Sequence, residues 1–265
     1  MSKVRGSQVI SQMDFVLSRP LDAVAPPNAL ALPFTVRIVR TEEHLSKAVE
    51  IRAETYGRHH PDLAENLKAP EAADRAAFSL VLLAEAKDTG EALGTMRIET
   101  NTKSPLPIET VLPEESAYTS RTIAYVTRLG VYRGQFAQLV KLALFKALHR
   151  YCLACQIDWI VVGARSPMDR QFIKLGFSDV HAEGRMAIIA SSGTVPARIL
   201  SLETIRAEGL WRATEHPFYK FVFVDFTPDI QIFSSVSGVW GRPRTESTGL
   251  PAAKALDEVF GVTVV

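Results

Sequence analysis

Hydrophobic residues recur at steps of three and four between positions 136 and 151, which predicts an amphipathic helix with a basic second face. The pattern changes after this helix. Residues 157–163 form a short, apolar and β-branched run that is typical of a strand covered on both faces. A strand from Thr122 leads into the helix, and a shorter helix after the second strand is predicted to stop at Gly176. This stretch therefore predicts a strand–helix–strand–helix unit.

The rest of the chain predicts further strands and helices around this unit, and hence a mixed α/β sheet. Thr41 precedes two glutamates and an apolar helical pattern, so a helix is predicted to begin there and to end at Gly57. Asp88-Thr89-Gly90 separates two strand-like runs and predicts a hairpin. Strands are also predicted at 34–40, 78–86 and 92–99, with an aromatic strand at 219–226. Helical segments are predicted at 65–77 and 203–210, and apolar stretches lie at 186–191 and 197–202. The long proline-containing loop at 100–121 would serve as a substrate lid.

Three segments are predicted along the chain. Residues 1–33 form an N-terminal arm interrupted by prolines, residues 34–232 form one α/β domain, and residues 233–265 form a C-terminal tail in which a short helix is predicted. Strands and helices do not alternate strictly, and the sequence contains neither a G-x-G-x-x-G motif after a strand nor a P-loop motif. These observations argue against dehydrogenases and nucleotide hydrolases.

Composition changes this picture mainly by exclusion. Lysine and arginine number 30 and aspartate and glutamate 29, so general binding to nucleic acid or to an anionic membrane is not favoured. No apolar run reaches the length of about 20 residues that spans a bilayer, and two cysteines make no disulfide framework, which together predict a cytoplasmic protein. Cys152 and Cys155 are predicted to be buried core residues, and the spacing of histidines and cysteines predicts no metal site.

Charged side chains within strand-like runs are the first candidates for chemistry. Arg97 alternates with Glu99 on one face of its strand, whereas Arg128 interrupts an apolar strand. A buried arginine needs a carboxylate or solvent, so a structural salt bridge, for instance between Arg97 and Glu99, is one interpretation. The other interpretation is a two-pronged clamp for a carboxylate of the substrate, with Glu99 as the nearest candidate base. Spacing leaves both interpretations open, and the same holds for Arg52.

Several short motifs together resemble the N-acyl amino acid synthases, which are GNAT-fold relatives of the acyl-homoserine-lactone synthases. The motifs are Arg52 with Tyr56 on the first helix, Gly94-Thr95-Met96-Arg97 on a strand, Leu106-Pro107 in the proline-rich loop and Thr127-Arg128-Leu129-Gly130-Val131. The resemblance covers residues 34–180 and implies a GNAT-like α/β fold with a mixed central sheet flanked by helices. It further implies that a fatty acyl chain moves from acyl carrier protein to the amino group of an amino acid. The donor is then a phosphopantetheine thioester, and no permanently bound metal or redox cofactor is implied.

The residues and the resemblance together give roles to individual residues. Catalysis is predicted for Arg97, Arg128 and Tyr125, with Glu99 added as the nearest carboxylate on the face of Arg97, donor binding for Leu129, Gly130, Val131, Arg133 and Gly134, and the acceptor cleft for Arg52 and Tyr56. Tyr125 is a departure, because family members usually carry a glutamate three residues before this arginine. A tyrosine, with a reference pKa of about 10, is a poor base at neutral pH.

A second departure concerns the donor. Ordinary GNAT enzymes hold the diphosphate of coenzyme A on a Q/R-x-x-G-x-G/A loop, whereas the turn at 132–136 contains one glycine. Weaker binding of a diphosphate favours a carrier protein as donor. Carrier proteins are acidic in this family-level inference, so a local basic docking surface is predicted on the polar side of the long helix, with Lys141, Lys146 and Arg150.

Two alternatives stay open at this point. The first is an acyl-homoserine-lactone synthase or another GNAT acyltransferase that uses acyl-CoA. The second is a catalytically inactive module that binds an acyl group or another ligand, which the tyrosine at position 125 motivates. In the favoured hypothesis the partners are acyl carrier protein and an amino acid, with no nucleic acid and no transmembrane segment, and a lipid product would favour proximity to a membrane.

Overall fold

Nine strands form one mixed sheet in the computed structural model, which describes residues 29–58, 65–114, 116–189 and 195–233. The strands are β1 (Phe34–Ile38), β2 (Ser79–Ala86), β3 (Ala92–Thr100), β4 (Ile123–Val131), β5 (Trp159–Ala164), β6 (Ser178–Asp179), β7 (Met186–Ala187), β8 (Ala197–Glu203) and β9 (Ile230–Gln231). The α-helices are α1 (Glu42–Gly57), α2 (Ala137–Ala154), α3 (Met168–Lys174) and α4 (Ala207–Ala213). Most of the predicted arm, and the predicted tail except residue 233, lie outside the described residues, so the three-segment division stays a prediction.

The sheet combines antiparallel and parallel pairs. Its order is β6-β8-β5-β4-β3-β2-β1-β9, and β7 pairs with β8. β1 to β4 are antiparallel neighbours, whereas β4 and β5 are parallel and are connected through α2. The hairpin between β2 and β3 turns at Gly90, whose φ of +70° favours glycine. These pairings confirm the predicted mixed α/β sheet flanked by helices.

The first helix has the ends that its sequence predicts. The Thr41 side chain accepts a hydrogen bond from the backbone N–H of His44 at 3.3 Å, and α1 continues to Gly57. Two glutamates lie in the first turn, where the helix dipole favours negative charge. The buried side of α1 includes Leu45 and Ile51 and packs on β2. Burial of this apolar side fixes the helix against the sheet.

Alternation along the central strands gives the two faces of the sheet different chemistry. On β3, Met96 and Ile98 belong to the main apolar core, which also contains the buried side of α2. Thr95, Arg97 and Glu99 alternate with them and are buried polar residues on the opposite face, where α1 packs. The polar face of β3 is therefore the part of the fold on which chemistry can be built.

The aromatic stretch near the C-terminus is a helix, and the predicted strand at 219–226 is wrong. Residues Lys220–Val224 form a π-helix, and Phe221 is buried in the main core. Lys146 of α2 donates hydrogen bonds from Nζ to the carbonyl oxygens of Phe221 and Asp225, both at 2.6 Å. The stretch thus buries Phe221 against α2, and only its last residue, Phe226, makes a β-bridge, an isolated parallel one with Ala29.

Two smaller predictions also differ from the structure. In place of a helix at 65–77, the described chain has helical residues only at 65–66 and a 3₁₀ turn at Ala72–Arg75. Pro70 separates the two pieces, because proline breaks the hydrogen-bond ladder. Cys152 is buried as predicted, but Cys155 is exposed because α2 ends at Ala154 and the chain turns towards solvent.

The long loop between β3 and β4 is anchored on the sheet. It contains a 3₁₀ helix, Pro107–Val111, and it buries Leu106 and Ile108. These side chains form a second apolar cluster with Tyr125 of β4 and Val161 of β5. The loop thus covers β4 and β5 on the same face as the polar residues of β3, and its role as a lid stays a prediction.

Candidate active site

The parallel strands β4 and β5 separate part-way along their length. Their pairing runs from Ile123 opposite Trp159 to Val126 opposite Val162. β4 then continues to Val131 along β3, and β5 continues along β8. Within the described sheet, the later part of β4 has a strand on one side only. This separation creates an opening between Thr127–Val131 on one strand and the end of β5 on the other.

An irregularity in β4 lies at the start of this opening. Thr95 pairs with Gly130 whereas Arg97 pairs with Thr127, so β4 carries one more residue than β3 across the same interval. Arg128 has a φ of +54°, a left-handed conformation that costs a residue with a side chain about 1 kcal/mol. The bulge brings Thr127 and Arg128, which are neighbours in sequence, to the same face of the sheet.

Three arginines and three carboxylates meet on that face. Arg128 donates from Nε and Nη2 to the two oxygens of Glu71, both at 2.7 Å. Arg97 donates from Nη1 to Glu71 at 2.9 Å and to Asp74 at 3.2 Å. Arg52 of α1 donates to Asp74 at 2.7 Å. With Glu99, the cluster contains three positive and three negative groups, and its charges balance if all six are ionised. The arginines are thus held mainly by protein carboxylates.

Glu99 completes this charged cluster on β3. Arg97 Nε donates to Glu99 Oε1 at 3.1 Å, and the hydroxyl of Thr127 donates to the same oxygen at 3.0 Å. Arg97 Nε also lies 3.1 Å from the Thr127 hydroxyl oxygen. The ion pair between Arg97 and Glu99, one of the two predicted interpretations, is present. Glu99 is therefore fixed in orientation by two donors and is 6% exposed.

The cluster shifts the pKa values of its members. Burial alone would raise the pKa of Glu71, but the Arg128 hydrogen bond and the surrounding guanidinium charges lower it to about 2. Burial opposes the charge on Arg128, yet Glu71 raises the pKa of Arg128 above its usual range. Burial lowers the pKa of Arg52, against the attraction of Asp74. Burial raises the pKa of the Tyr56 hydroxyl, despite the three arginine charges around it.

The structure brings most of the predicted catalytic and cleft residues together. Arg97, Glu99 and Arg128 belong to one hydrogen-bonded cluster with Arg52, and Tyr56 lies within the electrostatic field of its arginines. Sequence reasoning missed Glu71 and Asp74, and it named Thr127 only within a motif, without a role of its own. The signal for the two acids was the three-residue spacing after Pro70, since the Glu71 N–H donates to Asp74 Oδ2 at 2.8 Å across the 3₁₀ turn.

Tyr125 lies beside this cluster and next to the opening. It pairs in register with Glu99 and is 2% exposed within the second apolar cluster. Gly163 of β5 is exposed, and a β-carbon added to it would lie 3.8 Å from the Tyr125 hydroxyl and 2.5 Å from Cδ1 of Ile189. The glycine therefore admits the close approach of Ile189 at the point where β5 departs from β4, with the tyrosine hydroxyl nearby.

The predicted donor-binding residues line the other end of the opening. Gly130 allows α1 to approach β4, because a β-carbon there would lie 2.6 Å from Oγ1 of Thr55. Arg133 and Gly134 are exposed in the turn before α2. Phe136, the N-cap residue of α2, makes no side-chain cap, and the Ala137 N–H donates to the carbonyl oxygen of Gly134 at 3.1 Å.

The predicted basic docking surface on α2 is only partly present. Lys146 is 3% exposed and donates a hydrogen bond from Nζ to a carbonyl oxygen of the π-helix. Burial lowers the pKa of its ammonium group to about 8. Lys146 is therefore a structural residue, and its assignment to docking was wrong. Lys141 and Arg150 are half-buried, and burial lowers the pKa of each. The π-helix covers a side of α2 that the sequence pattern marks as polar.

Among the described residues, no group of three or more histidine, cysteine, aspartate or glutamate side chains could hold a metal ion. Within the same residues, no helix combines the length and the apolar character required to cross a membrane. These findings concern only the part of the chain that the structure describes.

No family model and no curated protein sequence matches the chain, but solved structures do. The structure of FeeM, an N-acyl amino acid synthase from uncultured soil microbes, matches with a TM-score of 0.51 and 15% identity, over 66% of this chain and 93% of that chain. The chain has the GNAT fold. A structure of BjaI, a CoA-dependent acyl-homoserine lactone synthase, matches with a TM-score of 0.49 and 17% identity, over 85% of this chain and 99% of that chain. At 15% identity, the match to FeeM confirms the resemblance for the fold alone.

Proposed function

We propose that the protein is a GNAT-type acyltransferase that moves a fatty acyl chain from acyl carrier protein to the amino group of an amino acid. The observation that carries this proposal is the opening between β4 and β5, which begins at a bulge and adjoins a buried charged cluster. Acyl transfer from a thioester to an amine needs a cleft that binds both reactants, with polar groups on one side and apolar walls on the other. The name of the similar FeeM structure, an N-acyl amino acid synthase, supports this choice.

The donor would enter along the free side of β4. Phosphopantetheine is an extended chain with amide groups. Within the described sheet the backbone groups of Leu129 to Val131 have no strand partner on this side, and they can bind it. The same N–H groups would stabilise the oxyanion that forms on the thioester carbonyl. The turn at 132–136 contains one glycine, Gly134, so its backbone offers fewer positions for close approach of phosphate. We infer that this turn suits a single phosphate of a carrier protein better than the diphosphate of coenzyme A.

The acceptor amine must lose a proton in order to attack. Glu99 is held by Arg97 and Thr127, and the side chain of Tyr125 lies next to it in register. In this arrangement Glu99 supplies negative charge that attracts the ammonium form of the acceptor. Water carries the proton away, since a tyrosine is a weak base at neutral pH. Tyr125 then has an orienting role at the opening.

The reaction is a direct displacement. The lone pair of the amine attacks the thioester carbon, a tetrahedral oxyanion forms, and the carbon–sulfur bond breaks as the amide forms. The leaving thiolate of phosphopantetheine takes up a proton, so no covalent enzyme intermediate is required. The position of Cys152 fits this scheme, because its thiol is buried and burial raises its pKa above the usual range.

A non-catalytic ligand-binding module is the second candidate function. The observation that favours it is Tyr125, which stands where the family usually carries a glutamate and which is buried in an apolar cluster. Such a module would bind an acyl thioester without turning it over.

One experiment separates these functions. The purified protein is incubated with acyl carrier protein loaded with chains of several lengths, or with the corresponding acyl-CoA, and with a mixture of amino acids. We expect N-acyl amino acids by mass spectrometry, with faster formation from the carrier protein, and we expect Glu99→Gln to slow formation while Cys155→Ser does not. Binding of donor without any product would favour the non-catalytic module, and a stable acyl adduct on the protein would exclude direct transfer.

A further inference from the structure

Thr127 lies on the bulge of β4, at the start of the opening. The four residues of β4 before it are buried, whereas Thr127 itself is half-buried. The chain continues from Thr127 through Arg128 into residues 129–131, whose backbone would bind the thioester. Thr127 is therefore the first residue of β4 with accessible surface on the way to the place where the donor and the acceptor would meet.

The hydroxyl group of Thr127 joins two members of the charged cluster. It donates to Oε1 of Glu99 at 3.0 Å, and its oxygen accepts from Nε of Arg97 at 3.1 Å. The same Nε donates to Oε1 of Glu99 at 3.1 Å. The three groups form a closed triangle of hydrogen bonds, in which one carboxylate oxygen receives two donors.

The second carboxylate oxygen of Glu99 has a different environment. Oε2 accepts no hydrogen bond from the described residues, and it is not one of their enclosed polar atoms that lack a partner. The Glu99 side chain keeps 8% of its surface accessible. A carboxylate with one oxygen held and the other accessible can accept a hydrogen bond from a ligand without rearrangement.

The hydroxyl of Thr127 limits how this carboxylate can turn. If the hydroxyl is removed, Oε1 keeps one donor, Nε of Arg97, which also bonds through Nη1 to Glu71 and Asp74. The carboxylate can then rotate about its last bond, and rotation moves Oε2 away from its present position. Because charged hydrogen bonds depend on geometry, such rotation weakens the contact with a bound ammonium group.

We propose that Thr127 is a positioning residue, which fixes Oε1 of Glu99 so that Oε2 accepts a hydrogen bond from the ammonium group of the acceptor. Thr127 belongs to the bulge, so the same residue sets the carboxylate relative to residues 129–131. It thereby aligns the amine with the thioester. The inference rests on the proposed function for the identity of the two reactants, and the chemistry that it assigns to the site is binding of a primary ammonium group.

The first test separates the hydroxyl from the shape of the side chain. Thr127→Val removes the hydroxyl with little change in shape, and Thr127→Ser keeps it. With the amino acid that gives most product, Thr127→Val should raise the KM for the acceptor about tenfold or more and leave the KM for the donor almost unchanged, because a hydrogen bond to a charged group is lost. Thr127→Ser should stay within about twofold of the natural protein.

Thr100→Val is the matched control. It removes a hydroxyl that lies 3.3 Å from the carbonyl oxygen of Phe78, and Thr100 is a buried residue of β3 next to Glu99 in sequence but on the other face of the strand. Its acceptor KM should not change. Equal acceptor KM values for Thr127→Val and Thr127→Ser would contradict the proposal.

The charge of the amine gives a readout that altered packing would not produce. The amino group of an amino acid is an ammonium group at about pH 7, and a large part of it is neutral at about pH 10. Around Glu99, Arg97 keeps its charge over this range, and the register neighbours are Ser79 and Tyr125. The ratio of kcat/KM between Thr127→Ser and Thr127→Val should therefore fall as pH rises. A constant ratio would mean that the valine acts through packing, and the proposal would be wrong.

Binding without turnover is measured on the full chain by titration with butylammonium chloride, followed by shifts of the backbone amide resonances. Glu99→Gln and Thr127→Val should each raise the dissociation constant. The double variant should bind no more weakly than Glu99→Gln alone, because Thr127 acts through Glu99. Losses that add, or a natural protein that does not bind butylammonium, would contradict the proposal. If no N-acyl product forms with any donor, the proposed function fails, and this titration still decides whether Thr127 positions Glu99.

Discussion

The two faces of the central sheet differ in how they hold the strands in place. Beneath α2, Met96 and Ile98 of β3 meet Ala124 and Val126 of β4 in one continuous apolar core. On the other face, the alternate residues of the same strands include Arg97, Glu99 and Thr127, joined by hydrogen bonds to acids from a short turn. The first face is stabilised by burial of apolar surface, which requires no particular orientation of the side chains. The second is stabilised by hydrogen bonds and ion pairs, each of which depends on the position of its partner.

Within a single pair of strands, the apolar face therefore provides stability, and the charged face carries the residues proposed for chemistry. An apolar face tolerates exchange between side chains of similar volume. A closed cluster of ion pairs does not tolerate loss of one member, because the remaining charge is left buried. The charged face is therefore expected to respond to substitutions far more strongly than the apolar face, and the following experiments test this comparison.

The largest effect is expected at Asp74, whose side chain is fully buried and bonds to both Arg52 and Arg97. Asp74→Asn should lower the free energy of unfolding by about 3 kcal/mol or more, since the buried Arg52 guanidinium loses the carboxylate that pairs with it and Arg97 loses one of three. The control on the apolar face is Met96→Leu, which should cost below about 1.5 kcal/mol. Urea denaturation measures both, and equal losses would contradict the proposed difference between the faces.

The next effect is a dependence on pH that comes from Glu71. Its pKa is lowered to about 2 from an ordinary value of 4.5, so its contribution to stability is complete above the higher value and is lost as pH falls towards the lower one. The contribution is about 3 kcal/mol. Glu71→Gln should therefore be much less stable than the natural protein at about pH 6, and the gap should close at about pH 2.

That experiment is read from denaturation curves of the two proteins at several pH values. Other carboxylates titrate in both proteins, so only the difference between the curves matters. A difference that stays constant from neutral to acidic pH would show that Glu71 acts through packing and not through its charge.

A moderate effect is expected where α1 touches β4. Gly130→Ala places a methyl group 2.6 Å from Oγ1 of Thr55 and 3.2 Å from Cγ2 of Ile51, so α1 must shift, at a cost of about 1–3 kcal/mol. The same shift would move Arg52 and reduce any turnover. Gly134→Ala is the control, because no atom lies within 4 Å of its added carbon. Thermal unfolding that ranks the two variants equally would argue against tight packing at Gly130.

The smallest effect concerns the surface that would receive a carrier protein. Because Lys146 is buried, the exposed residues Arg133 and Arg170 are now the better test. Reversing both to glutamate should leave stability almost unchanged and lower kcat/KM for acyl carrier protein about tenfold at low salt, since exposed charges act mainly on association. Turnover of a short pantetheine thioester should stay the same, and Arg206→Glu, at an exposed arginine after β8, should affect neither donor.

Periodicity predicted the fold well where elements are long. The ends of α1, the hairpin at Gly90 and the strand–helix–strand order around α2 follow from local patterns that tertiary contacts reinforce. The aromatic run near residue 220 was predicted to be a strand, but it forms a π-helix. The carbonyl oxygen of Phe221 in that helix accepts a hydrogen bond from Nζ of Lys146. The burial of that lysine depends on a contact between residues 75 positions apart, which no local pattern contains.

The candidate site was predicted in part for a similar reason. Arg97, Glu99 and Arg128 could be named because a charge inside an apolar strand is conspicuous. Their partners Glu71 and Asp74 come from a 3₁₀ turn, where acids are common and alternation is absent. The pairing of Arg128 with Glu71 joins positions 57 residues apart and depends on a bulge in β4, whose extra residue is defined only once β3 lies beside it.

The edge of the sheet at β1 has a consequence for the order of assembly. Val36 pairs with Ile230, and the Leu32 N–H donates to Asp229 at 2.7 Å across 197 positions of sequence. Closing such a long loop is slow compared with forming the neighbouring hairpins. A ribosome releases β1 before β9, so the nascent chain would hold one unpaired β1 edge until residues 230–231 have been made. Of the strands that the structure describes, the last then covers the first.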